Sequence, residues 1–171
     1  MENTRLMSAE PQIVAPEEKF EVALTDACKG ILAGADLRYA LLPRLGLDIA
    51  FLIDHPSGTR WGFVEAKSFS GQRAGGVPVG NQKGGGRQLD ILLLSDAELA
   101  LFDASVRWVL AHARHKPGER RYAIFTCARA KSAVMAGARR DKNNNLRSSD
   151  FASELVTWDV LLDHLRSFLI S

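Results

Sequence analysis

Two apolar segments of this chain carry charged side chains at positions where they could form one site. LDIAFLID (47–54) contains Asp48, and RWGFVEAKS (60–68) contains Glu65 and Lys67. Both segments are typical of buried strands, in which an unpaired charge is costly. Carboxylates beside a lysine suit Mg²⁺-assisted phosphodiester hydrolysis, in which the metal lowers the pKa of a water and the ammonium orients it or offsets phosphoryl charge.

The turn between the two segments determines which residues face each other. His55-Pro56-Ser57-Gly58 has proline and glycine where a type I turn favours them. Counting back from a His55–Gly58 pair places Asp48 opposite Glu65, where two like charges need a positive partner. Lys67 lies on the same strand face as Glu65, because side chains alternate along a strand. A turn longer by one residue would instead set Asp48 diagonal to Glu65.

The acid-x-lysine pattern is weak on its own, because Glu17-Glu18-Lys19 repeats it. That copy falls at a predicted helix start with no opposing acid, whereas Glu65-Ala66-Lys67 faces Asp48. A structural ion pair of Lys67 with Asp48 or Glu65 near a strand end is the alternative interpretation.

The elements that would position these residues follow from the hydrophobic pattern. A helix is predicted over 17–34, after Pro16, from an apolar stripe at helical spacing: Phe20, Leu24, Ala27, Cys28 and Ile31. Residues 37–42 predict a first strand. The capping box Ser95-Asp96-Ala97-Glu98 predicts a helix that runs through about His115. The remaining predicted elements are a short helix over 87–94, a strand over 122–128 and an amphipathic helix over 157–170.

The bulk composition is that of one soluble globular domain, with 171 residues, 46% apolar and 25% charged. We expect a flexible arm over 1–15 and one domain over 16–171. No apolar run is long enough for a membrane span and the start lacks a signal-peptide pattern, so a cytoplasmic protein without a membrane partner is expected. The tryptophans at 61, 108 and 158 are expected in the core rather than as base-stacking platforms.

Basic residues concentrate in the second part of the chain. Residues 1–65 hold ten acids and six bases, whereas 66–171 hold ten acids and sixteen bases. Lysine and arginine neutralise backbone phosphates independently of sequence, although a solvated basic surface explains the charge equally well. The residues predicted to contact nucleic acid are Arg73, Lys83, Arg87, Arg129, Lys131, Arg139 and Arg140.

The acidic motif resembles that of the PD-(D/E)xK nuclease superfamily, which has the restriction-endonuclease-like fold. In that superfamily one core strand carries an acid and the next carries acid-x-lysine, and Asp48 followed by Glu65-Ala66-Lys67 is similar to this pattern. Leu47 stands where the pattern has proline. The order helix, strand, strand, strand, helix, strand is also similar to its core. The resemblance implies an α/β protein with an αβββαβ core, in which helices flank a central mixed sheet.

The same resemblance implies metal-dependent phosphodiester hydrolysis, usually of DNA. Asp48 and Glu65 would bind Mg²⁺, or Mn²⁺ in its place, and Lys67 would assist the attacking water. Two further residues would support metal or water: Glu21 on the first helix, with Glu17 in reserve, and Gln88, with Gln82 as the competing assignment.

The partner implied is a nucleic acid, usually DNA, and a homodimer is left open. Because some members of the superfamily have lost activity, the alternative function is a catalytically inactive nucleic-acid-binding module of the same fold. A third hypothesis is a protein-interaction domain that contains a structural Asp48–Lys67 ion pair.

Overall fold

The computed structural model describes residues 8–42, 47–69, 77–78, 93–137 and 145–171. The helices in these ranges are α1 (Glu17–Gly34), α2 (Asp96–Ser105), α3 (Cys127–Gly137) and α4 (Trp158–Ile170), with a 3-10 helix at Ser148–Glu154. The strands are β1 (Arg38–Leu42), β2 (Ile49–His55), β3 (Gly58–Phe69), β4 (Val77–Pro78), β5 (Val106–His112), β6 (Tyr122–Phe125) and β7 (Asn145–Leu146).

The central sheet has five strands in the order β1-β2-β3-β5-β6. β1, β2 and β3 form an antiparallel meander, β5 runs parallel to β3, and β6 runs antiparallel to β5. β4 and β7 pair separately as a short antiparallel ribbon. The predicted α/β class, with a mixed sheet flanked by helices, is confirmed.

The β2–β3 hairpin has the register that the sequence predicts. His55 pairs with Gly58 at the turn, and the last pair of the ladder is Ile49 with Val64. Gly58 has a φ of 124°, a backbone conformation that favours glycine. Asp48 immediately precedes β2, so it lies just beyond the ladder, beside Glu65 of β3.

The sheet is covered on both faces by helices. Side chains alternate along β3, so Val64 and Ala66 face one side of the sheet, and Glu65 and Lys67 face the other. The first side packs against buried residues of α1 and α4: Phe20, Leu24, Leu32, Leu161, Leu165 and Leu169. The second side packs against buried residues of α2, α3 and the 3-10 helix: Leu99, Ala130, Val134 and Phe151.

Two predicted elements have the wrong bounds. The helix predicted from Ser95 through His115 ends at Ser105, and residues 106–112 form strand β5, between β3 and β6 in the sheet. Its capping box is present, with Ser95 Oγ accepting from the Glu98 N–H at 3.3 Å. The strand predicted over 122–128 ends at Phe125, and α3 begins at Cys127. Most of the short helix predicted over 87–94 falls outside the described residues.

The described part of the predicted N-terminal arm, residues 8–15, contacts the domain. Trp158 Nε1 donates to the Ser8 carbonyl at 2.8 Å, and Tyr122 Oη donates to the Glu10 carboxylate at 2.9 Å. Val14 is buried in the layer formed by α1 and α4. These contacts bind residues 8–15 to the fold.

None of the helices in the described ranges has both the length and the apolar character needed to cross a membrane.

Candidate functional site

Lys67 is a buried cation that contacts carboxylates from three parts of the chain. Its Nζ lies 2.6 Å from Glu65 Oε1 on β3, 3.4 Å from Glu17 Oε1 at the start of α1 and 3.7 Å from Asp48 Oδ2 before β2. The side chains of Lys67 and Glu65 are only 7% and 8% exposed. The ammonium is therefore the centre of a charged cluster within an otherwise apolar sheet.

Backbone hydrogen bonds hold the three carboxylates in place. The Ala66 N–H donates to Asp48 Oδ2 at 2.8 Å, and the Asp48 N–H donates to Glu65 Oε2 at 3.3 Å. The Ser68 N–H donates to Glu17 Oε2 at 3.1 Å. Each of these bonds crosses between elements, so the hairpin register and the position of α1 together determine the geometry of the cluster.

A group of acids on the partly exposed side of the cluster has the spacing of a cation site. Glu17, Glu21 and Asp48 each offer a carboxylate oxygen, and these atoms lie within 4.8 Å of one another. Such hard oxygen donors suit Mg²⁺, which binds proteins through one or two carboxylates and keeps several waters. The donor set therefore fits the ion that the sequence predicts.

Glu65 is predicted to bind the metal together with Asp48, and this role stays a prediction. The acidic group of Glu17, Glu21 and Asp48 does not include Glu65. The Glu65 carboxylate is engaged by Lys67 Nζ and by the Asp48 N–H. Asp48 is thus the residue common to the acidic group and to the Lys67 cluster.

Burial and mutual charge set the protonation of this cluster. Burial raises the pKa of Glu65 to about 7, an effect that Lys67 opposes and Asp48 increases. Burial alone would lower the pKa of Lys67, but the charges of Glu65, Asp48 and Glu17 outweigh it, and the net shift is upward. Lys67 therefore carries a positive charge at neutral pH, whereas Glu65 can gain or lose a proton there.

The structure brings together most of the site residues proposed from the sequence. Asp48, Glu65, Lys67 and Glu21 lie in one region, and the reserve residue Glu17 makes the direct contact with Lys67. The sequence favours Glu21 over Glu17, although Glu17 lies one helical turn earlier on the same face. Gln88 and its competitor Gln82 lie outside the described residues.

The residues predicted to contact phosphates are only partly described. Arg129 Nε donates to Glu154 Oε1 at 3.1 Å, and its Nη2 donates to the Asp150 carbonyl at 2.8 Å. Lys131 Nζ donates to the Leu94 carbonyl at 2.7 Å. Both cations thus connect α3 to neighbouring segments. The others fall outside the described ranges: Arg73, Lys83, Arg87, Arg139 and Arg140.

One tryptophan does not lie where the sequence places it. Trp108 and Trp158 are each 3% exposed, as expected of core residues, but Trp61 is 44% exposed. The prediction that all three belong to the core is wrong for Trp61.

Comparison of the chain with models of protein families, with curated proteins and with solved structures finds no match in any of the three.

Proposed function

We propose that this protein is a metal-dependent nuclease that hydrolyses phosphodiester bonds, most often in DNA, on a restriction-endonuclease-like fold. The observation that carries the proposal is the contact of one buried ammonium, Lys67 Nζ, with three carboxylates. The carboxylates that this lysine contacts come from α1, from the residue before β2 and from β3.

The spacing of the acids supports a role in cation binding. Carboxylate oxygens of Glu17, Glu21 and Asp48 lie within 4.8 Å of one another, and Glu17 and Asp48 also contact Lys67. Oxygen donors at this spacing suit a divalent cation such as Mg²⁺.

The residues divide into two roles in this proposal. Glu17, Glu21 and Asp48 would hold Mg²⁺, or Mn²⁺ in its place, which when bound polarises a phosphodiester and lowers the pKa of a bound water. Lys67 would orient the attacking water or offset charge on the phosphoryl oxygens. Glu65 holds the ammonium at the site and, with its raised pKa, can accept a proton near neutral pH.

The order of elements is consistent with the proposed fold. α1 is followed by the meander β1-β2-β3, then by α2, and β5 returns parallel to β3. With the short strand β4 of the separate ribbon set aside, this order is similar to the αβββαβ core of a restriction-endonuclease-like fold. The candidate site lies where Asp48, just before β2, and Glu65 and Lys67 of β3 meet the start of α1.

The proposal is tested by incubating plasmid and linear DNA with the protein in Mg²⁺, in Mn²⁺ and in EDTA. We expect cleavage with either metal and none in EDTA. Lys67→Ala and Asp48→Asn should each lower the rate by roughly 10² to 10⁴, the usual cost of removing a proton-transfer or charge-stabilising group. The control is Lys29→Ala, which removes an exposed lysine paired with Asp26 and should leave cleavage unchanged.

Two outcomes would contradict this assignment. Cleavage that survives Lys67→Ala unchanged would remove Lys67 from the mechanism. Salt-sensitive DNA binding without turnover in either metal would instead support the inactive nucleic-acid-binding module, in which the 2.6 Å Glu65–Lys67 pair is structural.

A further inference from the structure

An exposed aromatic pair lies on β3, on the strand that also carries Glu65 and Lys67. The rings of Trp61 and Phe63 stack with centroids 5.5 Å apart and planes only 5° from parallel. Phe63 is half-buried and Trp61 is 44% exposed. Trp61 is therefore the more accessible ring of a stacked pair that is open to solvent on one side.

The aromatic pair and the candidate site share one face of the sheet. Trp61, Phe63, Glu65 and Lys67 are alternate residues of β3, so their side chains emerge on the same side. Glu65 is four positions after Trp61, which is about 13 Å along the strand. A few nucleotides span that distance, since stacked nucleotides rise about 3.4 Å each.

The described strand residues beside the pair are largely apolar. Ala40, Leu52 and Trp61 lie in one row across the meander, as the strand register shows. The acid on the next row of the same face, Asp54, forms an ion pair with Arg38, which is 89% exposed. A polyanion approaching Trp61 would thus meet a neutralised carboxylate and an accessible arginine.

We propose that Trp61 and Phe63 form a stacking platform for unpaired bases of the nucleic acid that is cleaved at Lys67. This inference rests on the proposed function and specifies its substrate class. Aromatic side chains bind single strands because every base has a stacking face, whereas bases inside a duplex have theirs covered. The preferred substrate is therefore single-stranded, or carries a single-stranded end or branch beside the scissile bond.

Trp61 is itself the reporter for the test, because Trp108 and Trp158 are buried. The full-length protein is titrated in EDTA with an oligothymidylate and, separately, with a duplex of equal length, while tryptophan fluorescence is recorded. We expect saturable quenching by the single strand at lower concentrations than by the duplex. Trp61→Phe should keep the binding, measured by anisotropy of a labelled strand, and lose most of the quenching.

Trp61→Ala should weaken single-strand binding roughly tenfold, within the range for loss of one base–aromatic stack. The matched control is Leu101→Ala, which truncates another exposed apolar side chain, 75% exposed on α2, and should leave binding unchanged. Equal binding of single strand and duplex, or unchanged binding by Trp61→Ala, would overturn the platform. A Trp61-dependent dimer in sedimentation that does not bind the single strand would also overturn it, in favour of a second copy on this face.

The two proposals fail separately. Mg²⁺-dependent cleavage that requires Lys67 but does not depend on Trp61 would support the nuclease proposal and contradict the platform proposal. Trp61-dependent binding of single strands without cleavage in Mg²⁺ or Mn²⁺ would support the platform proposal and contradict the nuclease proposal.

Discussion

Lys67 remains charged although its side chain is only 7% exposed. Desolvation alone would favour the neutral amine, but carboxylates of Glu65, Glu17 and Asp48 lie within 4 Å of Nζ and outweigh that effect. The balance differs for Glu65, because burial is the largest influence on it and favours the protonated acid. Lys67 is thus fixed in charge, whereas its partner Glu65 changes charge near neutral pH.

This difference predicts a pH-dependent stability in the absence of divalent cations. Burial raises the pKa of Glu65 from 4.5 to about 7 in the folded protein. An acid with a raised folded-state pKa stabilises the fold below its unfolded pKa, and this contribution is lost as pH rises through the folded value. We therefore expect the stability advantage of wild type over Glu65→Gln to fall between about pH 4.5 and 7, as measured by urea unfolding in EDTA.

Glu98→Gln is the matched control, because the hydrogen bonds from Ser95 lower the pKa of Glu98 instead. The contribution of Glu98 to stability is lost only as pH falls. The difference in unfolding free energy between wild type and Glu98→Gln should therefore be constant between about pH 6 and 8. A constant difference for Glu65→Gln over the whole range would show that Glu65 is ionised throughout.

The residues of the site could be predicted from sequence to different extents. Asp48, Glu65 and Lys67 could be placed together because a short turn determines the register of the hairpin, and this is a local property. The choice between Glu17 and Glu21 could not be made, since both flank the apolar stripe of α1. It depends on how α1 packs on the sheet, which is set by long-range contacts.

At the scale of elements, β5 shows where local signals fail. The capping box at Ser95 correctly predicts where α2 begins, but no glycine or proline marks its end. Val106 instead adopts an extended conformation, and the chain continues as a strand between β3 and β6. Pairing in the sheet outweighs the helical pattern over these residues. The sequence cue that indicates a strand here is the β-branched and aromatic content of 106–109.

Close packing of α4 against the sheet at Gly62 predicts the effect of one small substitution. A Cβ added at Gly62 on β3 would lie 3.1 Å from Leu169 Cδ2 of α4 and 3.2 Å from Ile53 Cδ1 of β2. Both neighbours are fully buried, so they have little room to move. Gly62→Ala should therefore destabilise the protein by about 1 to 3 kcal/mol, the usual cost of overpacking, measured by chemical denaturation.

Gly34→Ala is the control for this change, because a Cβ at the last residue of α1 would meet nothing within 4 Å. It should be neutral or stabilising by up to about 1 kcal/mol, since alanine restricts the unfolded chain. Equal stability of Gly62→Ala and wild type would show that α4 can shift away from the sheet.

At the scale of the molecule, one sheet separates two apolar layers. The first contains α1 and α4 and the second contains α2, α3 and the 3-10 helix. Each layer contains one fully buried cysteine, Cys28 in the first and Cys127 in the second. The strands between the layers contribute side chains to both of them. Loss of one layer would therefore expose the strand face that this layer had covered.

Labelling of the two thiols tests whether the layers unfold together. Burial raises the pKa of Cys28 to about 12 and that of Cys127 to about 11, so neither thiol should react in the folded state. Single-thiol proteins, Cys28→Ala and Cys127→Ala, are treated with a disulfide reagent at pH 8 across a urea series. We expect labelling slowed more than about a thousandfold in both, given a global stability of at least about 5 kcal/mol.

The dependence of the two labelling rates on urea then decides the question. Equal slopes are expected, because global unfolding that separates the strands exposes both thiols at once. A smaller slope for Cys127, the thiol to which Trp108 Nε1 donates at 3.3 Å, would instead show that α3 and its layer open while the α1 and α4 layer stays folded. In that case the Lys67 cluster, which joins β3 to α1, would belong to the more stable of the two units.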